Sequence, residues 1–191
     1  MHCWPMSKVL RISLVSMLPA LAQSPLVEGN AKSPVRVVIY EDLQCPDCAD
    51  FRKMLDDQLL PKYGARVAFE HRDFPLPKHA WARQAAIAAR YFAALKPELG
   101  VEFRRETMAH LREIKLDTFK DHVAAFAARH GLKPGAALED PKLADLVEKD
   151  YQDGSARGIA KTPTALVNGE PFIETFTFAD ISAAIERELK Q

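Results

Sequence analysis

Val35 to Tyr40 is an almost unbroken apolar run rich in β-branched residues, the pattern of a strand covered on both faces. A short connection, Glu41 to Gln44, follows. Cys45 to Leu60 then predicts a helix whose inward stripe is Cys48, Phe51, Leu55 and Leu59, at spacings of 3, 4 and 4. Pro46 suits the first helical position, which makes Cys45 the N-cap. Val67 to Arg72 predicts a second strand, parallel to the first across a right-handed crossover. After Phe74-Pro75-Leu76-Pro77 the period changes to helical. One stripe is Trp81, Ala85, Ala88, Phe92 and Leu95, and another is Leu116, Phe119, Val123, Phe126 and His130. Phe103, Thr107 and Leu111 lie on a helix between them, and Leu143, Val147 and Tyr151 start a further one ending near Gly158. Strand patterning returns at Pro163 to Val167. Asn168-Gly169 then gives a type I′ hairpin signal, with Phe172 to Glu174 as the partner strand. Pro171 places the start of that partner on an exposed edge. Thr177-x-x-Asp180 opens a last helix with Phe178, Ile181, Ile185 and Leu189 facing inward.

The order is therefore strand-helix-strand, a helical block, then strand-strand-helix. It divides the chain into an α/β half over residues 35–77, a helical insertion over 78–158 and a ββα half over 159–191. Residues 23–34 hold Ser24, Pro25, Gly29, Asn30, Ser33 and Pro34 and read as a flexible lead-in. Before them, Lys8 and Arg11 precede the apolar segment Ile12 to Leu18, and Ala20-Leu21-Ala22 is a small-x-small cleavage pattern. Residues 1–22 read as a secretory signal, which implies a periplasmic or secreted protein.

Composition narrows the function. The chain of 191 residues is 48% hydrophobic, and 26 basic residues balance 26 acidic ones. With no basic surplus to hold a phosphate backbone, nucleic acid is not an expected partner. No apolar stretch reaches the roughly 18 residues of a membrane span. Cleavage after Ala22 would remove Lys8, Arg11 and Cys3 and no acid, leaving 24 basic residues against 26 acidic and a charge of −2. It would leave two cysteines, Cys45 and Cys48.

Cys45-Pro46-Asp47-Cys48 carries the candidate chemistry. Residues three apart at a helix start lie on one side, so the two sulfurs can bond. The loop that bond closes is so short that it removes almost no entropy from the unfolded chain. Such a pair makes a poor staple and is better suited to being made and broken. Free N–H groups and the positive dipole end of the helix stabilise a thiolate on Cys45. Cys45 is then the nucleophile, and Cys48, on the inward stripe, the resolving thiol. The rival readings are half a zinc site and a passive disulfide. No second CxxC and no His pair at ligand spacing completes a zinc site, so no metal is expected.

Val37-Val38-Ile39-Tyr40-Glu41-Asp42-Leu43-Gln44-Cys45-Pro46-Asp47-Cys48, then Arg72-Asp73-Phe74-Pro75-Leu76-Pro77, then Lys161-Thr162-Pro163-Thr164 and Val167-Asn168-Gly169, resemble the DsbA-like thiol-disulfide oxidoreductases. The resemblance runs from about Val35 to Leu189. It implies a thioredoxin-like α/β fold with an all-helical insertion between its βαβ and ββα halves. It also implies that Pro163 is the family's cis-proline, in a loop that faces the CxxC and binds a partner's backbone together with Thr162. Related proteins often carry a buried acid six residues before the first cysteine. Here that position is Ile39, and Glu41, two residues on along the same strand face, is the candidate proton acceptor; an exposed acid at a strand end is the alternative. Strongly oxidising members resemble Cys-Pro-His-Cys. Asp47 in place of that His disfavours the neighbouring thiolate and implies a less oxidising pair.

The expected function is thiol-disulfide exchange with protein or peptide substrates, without a cofactor and without a strong oxidant's potential. A redox partner would reset the Cys45–Cys48 pair, and a monomer is expected. The alternative is a thioredoxin-like binding module whose helical insertion holds a small molecule or a partner chain, its CxxC merely redox-sensitive.

Overall fold

The computed structural model describes residues 25–133 and 135–191. Residues 1–22, which read as a secretory signal, lie outside the described residues. A five-stranded sheet in the order β1-β3-β2-β4-β5 organises the molecule. The apolar run forms β2 (Arg36–Glu41), and β3 (Ala68–Asp73) lies parallel to it. β4 (Thr164–Val167) and β5 (Glu170–Ile173) make the antiparallel hairpin that Asn168-Gly169 predicts. Asn168 and Gly169 take φ of 44° and 99°, the two positive values of a type I′ turn.

One expectation fails at the other edge. Leu26–Gly29, inside the presumed lead-in, is a strand, β1, antiparallel to β3. Its backbone is held by pairing with a strand some 40 residues away, which no local turn residue reveals.

The first helix is longer than its pattern predicts. α1 (Pro46–Met54) runs through a π-helical turn, Leu55–Leu59, into α2 (Leu60–Tyr63). Pro61 has no N–H to offer, and the ladder runs at i→i+5 just ahead of it. Between β3 and β4 the described regular elements are all helical: α3 (Ala82–Leu95), α4 (Pro97–Ala109), α5 (Phe119–Arg129), a 3₁₀ turn (Gly135–Glu139) and α6 (Pro141–Ala156). α7 (Phe178–Glu188) closes the chain, and Thr177 and Asp180 form its capping box.

Two apolar cores result. Val37, Ile39, Phe69, Ala165 and Val167 on one sheet face pack with Phe51, Leu55, Leu59, Ile181 and Ile185. Trp81, Phe92, Phe103, Phe119, Val123 and Phe126 fill the helical block. The stripe read along α1 divides between them, for Cys48 belongs with Cys45 and Leu43 to the helical core. Leu95 and Leu116 are exposed, correcting their place on inward stripes. Leu95 is the last residue of α3 and Leu116 lies ahead of Thr118, the N-cap of α5, so neither sits within a helical stripe that continues on both sides.

Candidate active site

The loop from β2 to α1 aims both cysteines at one spot. Cys45 is the N-cap of α1, in extended conformation, and Pro46 follows at the first turn. The Cys45 N–H donates to the Asp42 carbonyl at 3.0 Å. The Asp42 N–H points at Cys48 Sγ, 3.4 Å away. Cys48 is sealed from solvent, and Cys45 keeps 5% of its surface. Pro46 and Asp47 are exposed beside them.

The two thiols are electrostatically unlike. A hydrogen bond from the Cys48 side chain favours the Cys45 anion, outweighs the cost of burial, and is joined by Thr162 and by the backbone N–H groups of Cys48 and Asp47. The Cys45 pKa falls from 9.0 to about 6. Cys48 moves the other way: burial raises its pKa, and so do its bond to Cys45, the Cys45 charge and the charge of Glu41. The pair is thus split into a thiol that ionises readily and a partner that holds its proton.

Across the groove stands the Thr162–Pro163 loop, whose peptide bond is cis. The Thr162 carbonyl lies 3.4 Å from Cys45 Sγ. Among the described residues the buried Thr162 hydroxyl has no hydrogen-bond partner, and the Thr162 side chain favours the Cys45 anion. The groove itself, about 400 Å³, is lined by Cys45 and Asp47, by Leu76, Pro77 and Lys78, and by Ala160, Lys161, Thr162 and Glu174.

Glu41 is not an exposed acid. It is buried, with His71 Nδ1 at 2.8 Å and Arg104 Nη1 at 2.8 Å. Burial alone would raise its pKa, but His71 and Arg104 bring it below the ordinary carboxylate range. Its charge reaches Cys48, yet no hydrogen bond joins the two side chains among the described contacts.

Arg104 is a residue of the site that the sequence reading does not single out: it is 1% exposed and also pairs with Asp73. A signal existed. Gly100, Phe103, Arg104 and Thr107 fall at i, i+3, i+4 and i+7, so Arg104 lies on the inward stripe of its own helix. Among the described residues, no cluster of three or more His, Cys, Asp or Glu side chains is placed to hold a metal. No described helix is long and apolar enough to cross a membrane.

The thioredoxin family model matches residues 22–187. Among curated proteins, Na(+)/H(+) antiporter NhaA 1 of Mycolicibacterium gilvum is 26% identical over 177 residues, covering 92% of this chain and 28% of that protein. Na(+)/H(+) antiporter NhaA 3 of Salinispora tropica is 26% identical over 184 residues, covering 88% of this chain and 25% of that protein. The chain thus spans about a quarter of the length of these curated relatives. Among solved structures, oxidised BdbD from Bacillus subtilis superposes with a TM-score of 0.70 at 27% identity, covering 87% of this chain and 94% of that one. α-DsbA1 of Wolbachia pipientis gives 0.73 at 18% identity, covering 86% and 90%. A periplasmic thioredoxin-like protein from Salmonella enterica serovar Typhimurium gives 0.74 at 19% identity, covering 91% and 94%, and like α-DsbA1 it speaks to the fold alone. The family match and the shared fold agree: this chain belongs to the thioredoxin family, with a fold like that of BdbD and α-DsbA1.

Proposed function

We propose that the chain exchanges disulfides with polypeptide substrates outside the cytoplasm, with Cys45 as the nucleophile and Cys48 as the resolving thiol. In the oxidising direction, a substrate thiolate attacks Cys45 Sγ. The Cys45–Cys48 bond breaks, and Cys48 leaves with its electron pair and takes up a proton. A second substrate thiolate then attacks the substrate sulfur of the mixed disulfide and releases Cys45 as a thiolate. In the reducing direction, Cys45 attacks a substrate disulfide and Cys48 resolves the intermediate. Cis-Pro163 and Thr162 form the wall that a substrate backbone meets.

The observation that carries this reading is the Cys45 sulfur, an anion above about pH 6, opening into the groove lined by Leu76 and Thr162. Its pKa is nearer that of thioredoxin, about 7, than the roughly 3.5 of a strong oxidant, which supports a mid-range potential. The signal pattern of residues 1–22 and the likeness to a periplasmic protein support export. The test is dithiothreitol-coupled insulin reduction together with oxidation of a reduced, unfolded protein. Both activities are expected to vanish in Cys45→Ser.

A second reading keeps the fold and drops the catalysis. An apolar groove of about 400 Å³ between α3, α5 and the 3₁₀ turn, bordered by Ile87, Phe119, Val123 and Leu138, favours a binding module. Full activity in Cys45→Ser would decide for it.

A further inference from the structure

Asp42 takes no part in the exchange steps above, yet it touches both halves of the site. Its main chain faces the sulfurs: the N–H points at Cys48 Sγ and the carbonyl accepts from the Cys45 N–H. Its side chain, closed to solvent, is bonded to a different part of the molecule. Oδ1 accepts from the Gln44 N–H at 2.7 Å. Oδ2 accepts from the Leu76 N–H at 2.7 Å and from His79 Nδ1 at 2.7 Å, so that Nδ1 carries a proton. All three partners are donors, which suits a carboxylate, a pure acceptor. Beside this tie, Gln44 Oε1 accepts the Trp81 N–H at 2.8 Å. The loop that presents the cysteines is therefore stitched to residues 76–81.

The stitched segment borders the site. Leu76, Pro77 and Lys78 line the same groove as Cys45 and Thr162. Pro75 and Pro77 have no N–H to bond, so this stretch has few main-chain restraints of its own. Its described ones are a single turn bond, His79 N–H to the Leu76 carbonyl at 2.9 Å, and the grip of Asp42 on both ends of that turn.

We propose that Asp42 and His79 are positioning residues that fix the Leu76–Lys78 wall relative to Cys45, and so set the preference for polypeptide substrates over small disulfides. The inference rests on the exchange reading above and deepens it. An extended chain must fit into the groove before its sulfur meets Cys45, whereas glutathione disulfide needs little more than the sulfur. Loss of the wall's position then costs the large substrate more than the small one.

The test uses reduced full-length protein in single turnover against insulin and, separately, glutathione disulfide. In Asp42→Asn the amide offers one acceptor oxygen where two were used, so at least one donor loses its partner. In His79→Ala the Nδ1 donor is removed; His79→Asn returns an N–H near the same place. The expected result is a drop of about tenfold in the insulin-over-glutathione rate ratio for Asp42→Asn and His79→Ala, carried by KM for insulin, with recovery in His79→Asn. Equal losses on both substrates, or an unchanged ratio, would overturn the inference. Should Asp42→Asn not fold, the two His79 variants decide alone. A wild-type protein with no Cys45-dependent exchange on either substrate would instead sink the exchange reading.

Discussion

Arg104 on α4 donates to Glu41 on β2 across 2.8 Å, in a place where neither side chain meets solvent. Its other arm holds Asp73, which Arg90 of α3 also grips, and Arg90 continues to Asp150 of α6. Three helices of the insertion are thus joined to the end of the sheet by buried charges. Removing Arg104 takes one cation from each of two buried carboxylates, leaving Glu41 to His71 and Asp73 to Arg90. Arg104→Met is expected to destabilise the protein by about 3–5 kcal/mol in urea unfolding. A loss below about 1 kcal/mol would mean that Glu41 and Asp73 are satisfied without it.

The thiol pair would set the pH response of the proposed exchange. Cys45 ionises at about pH 6, so alkylation of the reduced protein should rise through a midpoint there and level off above it. Below that midpoint the rate should fall about tenfold per pH unit, as the thiolate fraction does. Cys48, raised by burial and by its anionic neighbour, should remain unmodified across the same range. A titration of ultraviolet thiolate absorbance checks both. A single midpoint at or above pH 8 would remove the asymmetry on which the assignment of roles depends.

Asp47 is exposed in the first turn of α1, two residues after Cys45. Its backbone N–H favours the Cys45 anion and would survive substitution, while its carboxylate opposes the same charge. Asp47→His should therefore lower the Cys45 pKa below 6 and make the disulfide more oxidising. Equilibration with glutathione measures it. A tenfold shift in the exchange constant corresponds to about 30 mV, and an unchanged constant would mean that solvent screens the side chain at this position.

Gly154 sets two helix rules against each other. Replacing a helical Gly by Ala usually stabilises by about 0.5–1 kcal/mol. On α6, however, a Cβ at this position would lie 2.8 Å from the Phe74 ring and 2.9 Å from the Tyr40 ring. Neither ring is free to yield: Phe74 stacks on Tyr151 at 4.7 Å and meets Tyr40 edge-on at 6.1 Å. Overpacking should win, and Gly154→Ala is expected to cost about 1–3 kcal/mol, read from the urea midpoint. A gain in stability would show that the rings can shift.

What could be read from the residues alone follows the reach of the signal. The apolar run of β2, Asn168-Gly169 and Thr177-x-x-Asp180 are local patterns whose physical cause lies within a few residues, and each element lies where its pattern places it. The same holds for Cys45 as N-cap with Pro46 behind it. β1 is illegible in the sequence because Leu26 is its one buried residue and its hydrogen bonds go to a distant strand. The buried ion network was hidden for a similar reason. Arg104 meets Glu41 and Asp73 at separations of 63 and 31 residues, and only the fold brings them together. Asp42 reads as an ordinary loop acid until the 76–79 turn is placed beside it.

His71 lies between two carboxylates, Glu41 at Nδ1 and Glu28 at Nε2, the latter at 2.9 Å. Both ring nitrogens face acceptors, so both carry protons and the ring is a cation. Burial would lower its pKa, but the two acids raise it above the ordinary 6.5. Burial would likewise raise Glu28, yet His71 and Arg52 bring it down to about 2. The signs of the two contributions differ. Glu28, depressed on folding, stabilises above its unfolded pKa of about 4.3, and that contribution is lost as pH falls through 2. His71, raised on folding, stabilises fully below about 6.5, and that contribution is lost as pH rises through its folded pKa. The trio is therefore strongest between roughly pH 4.5 and 6.5. Glu28→Gln should cost about 3 kcal/mol at pH 6, and the gap to wild type should close as pH approaches 2. Urea midpoints of both proteins at pH 6, 4 and 2.5 measure it. A gap independent of pH would mean that Glu28 acts through hydrogen bonding and packing, because the cost of losing its charge must vanish where the native carboxylate itself takes up a proton.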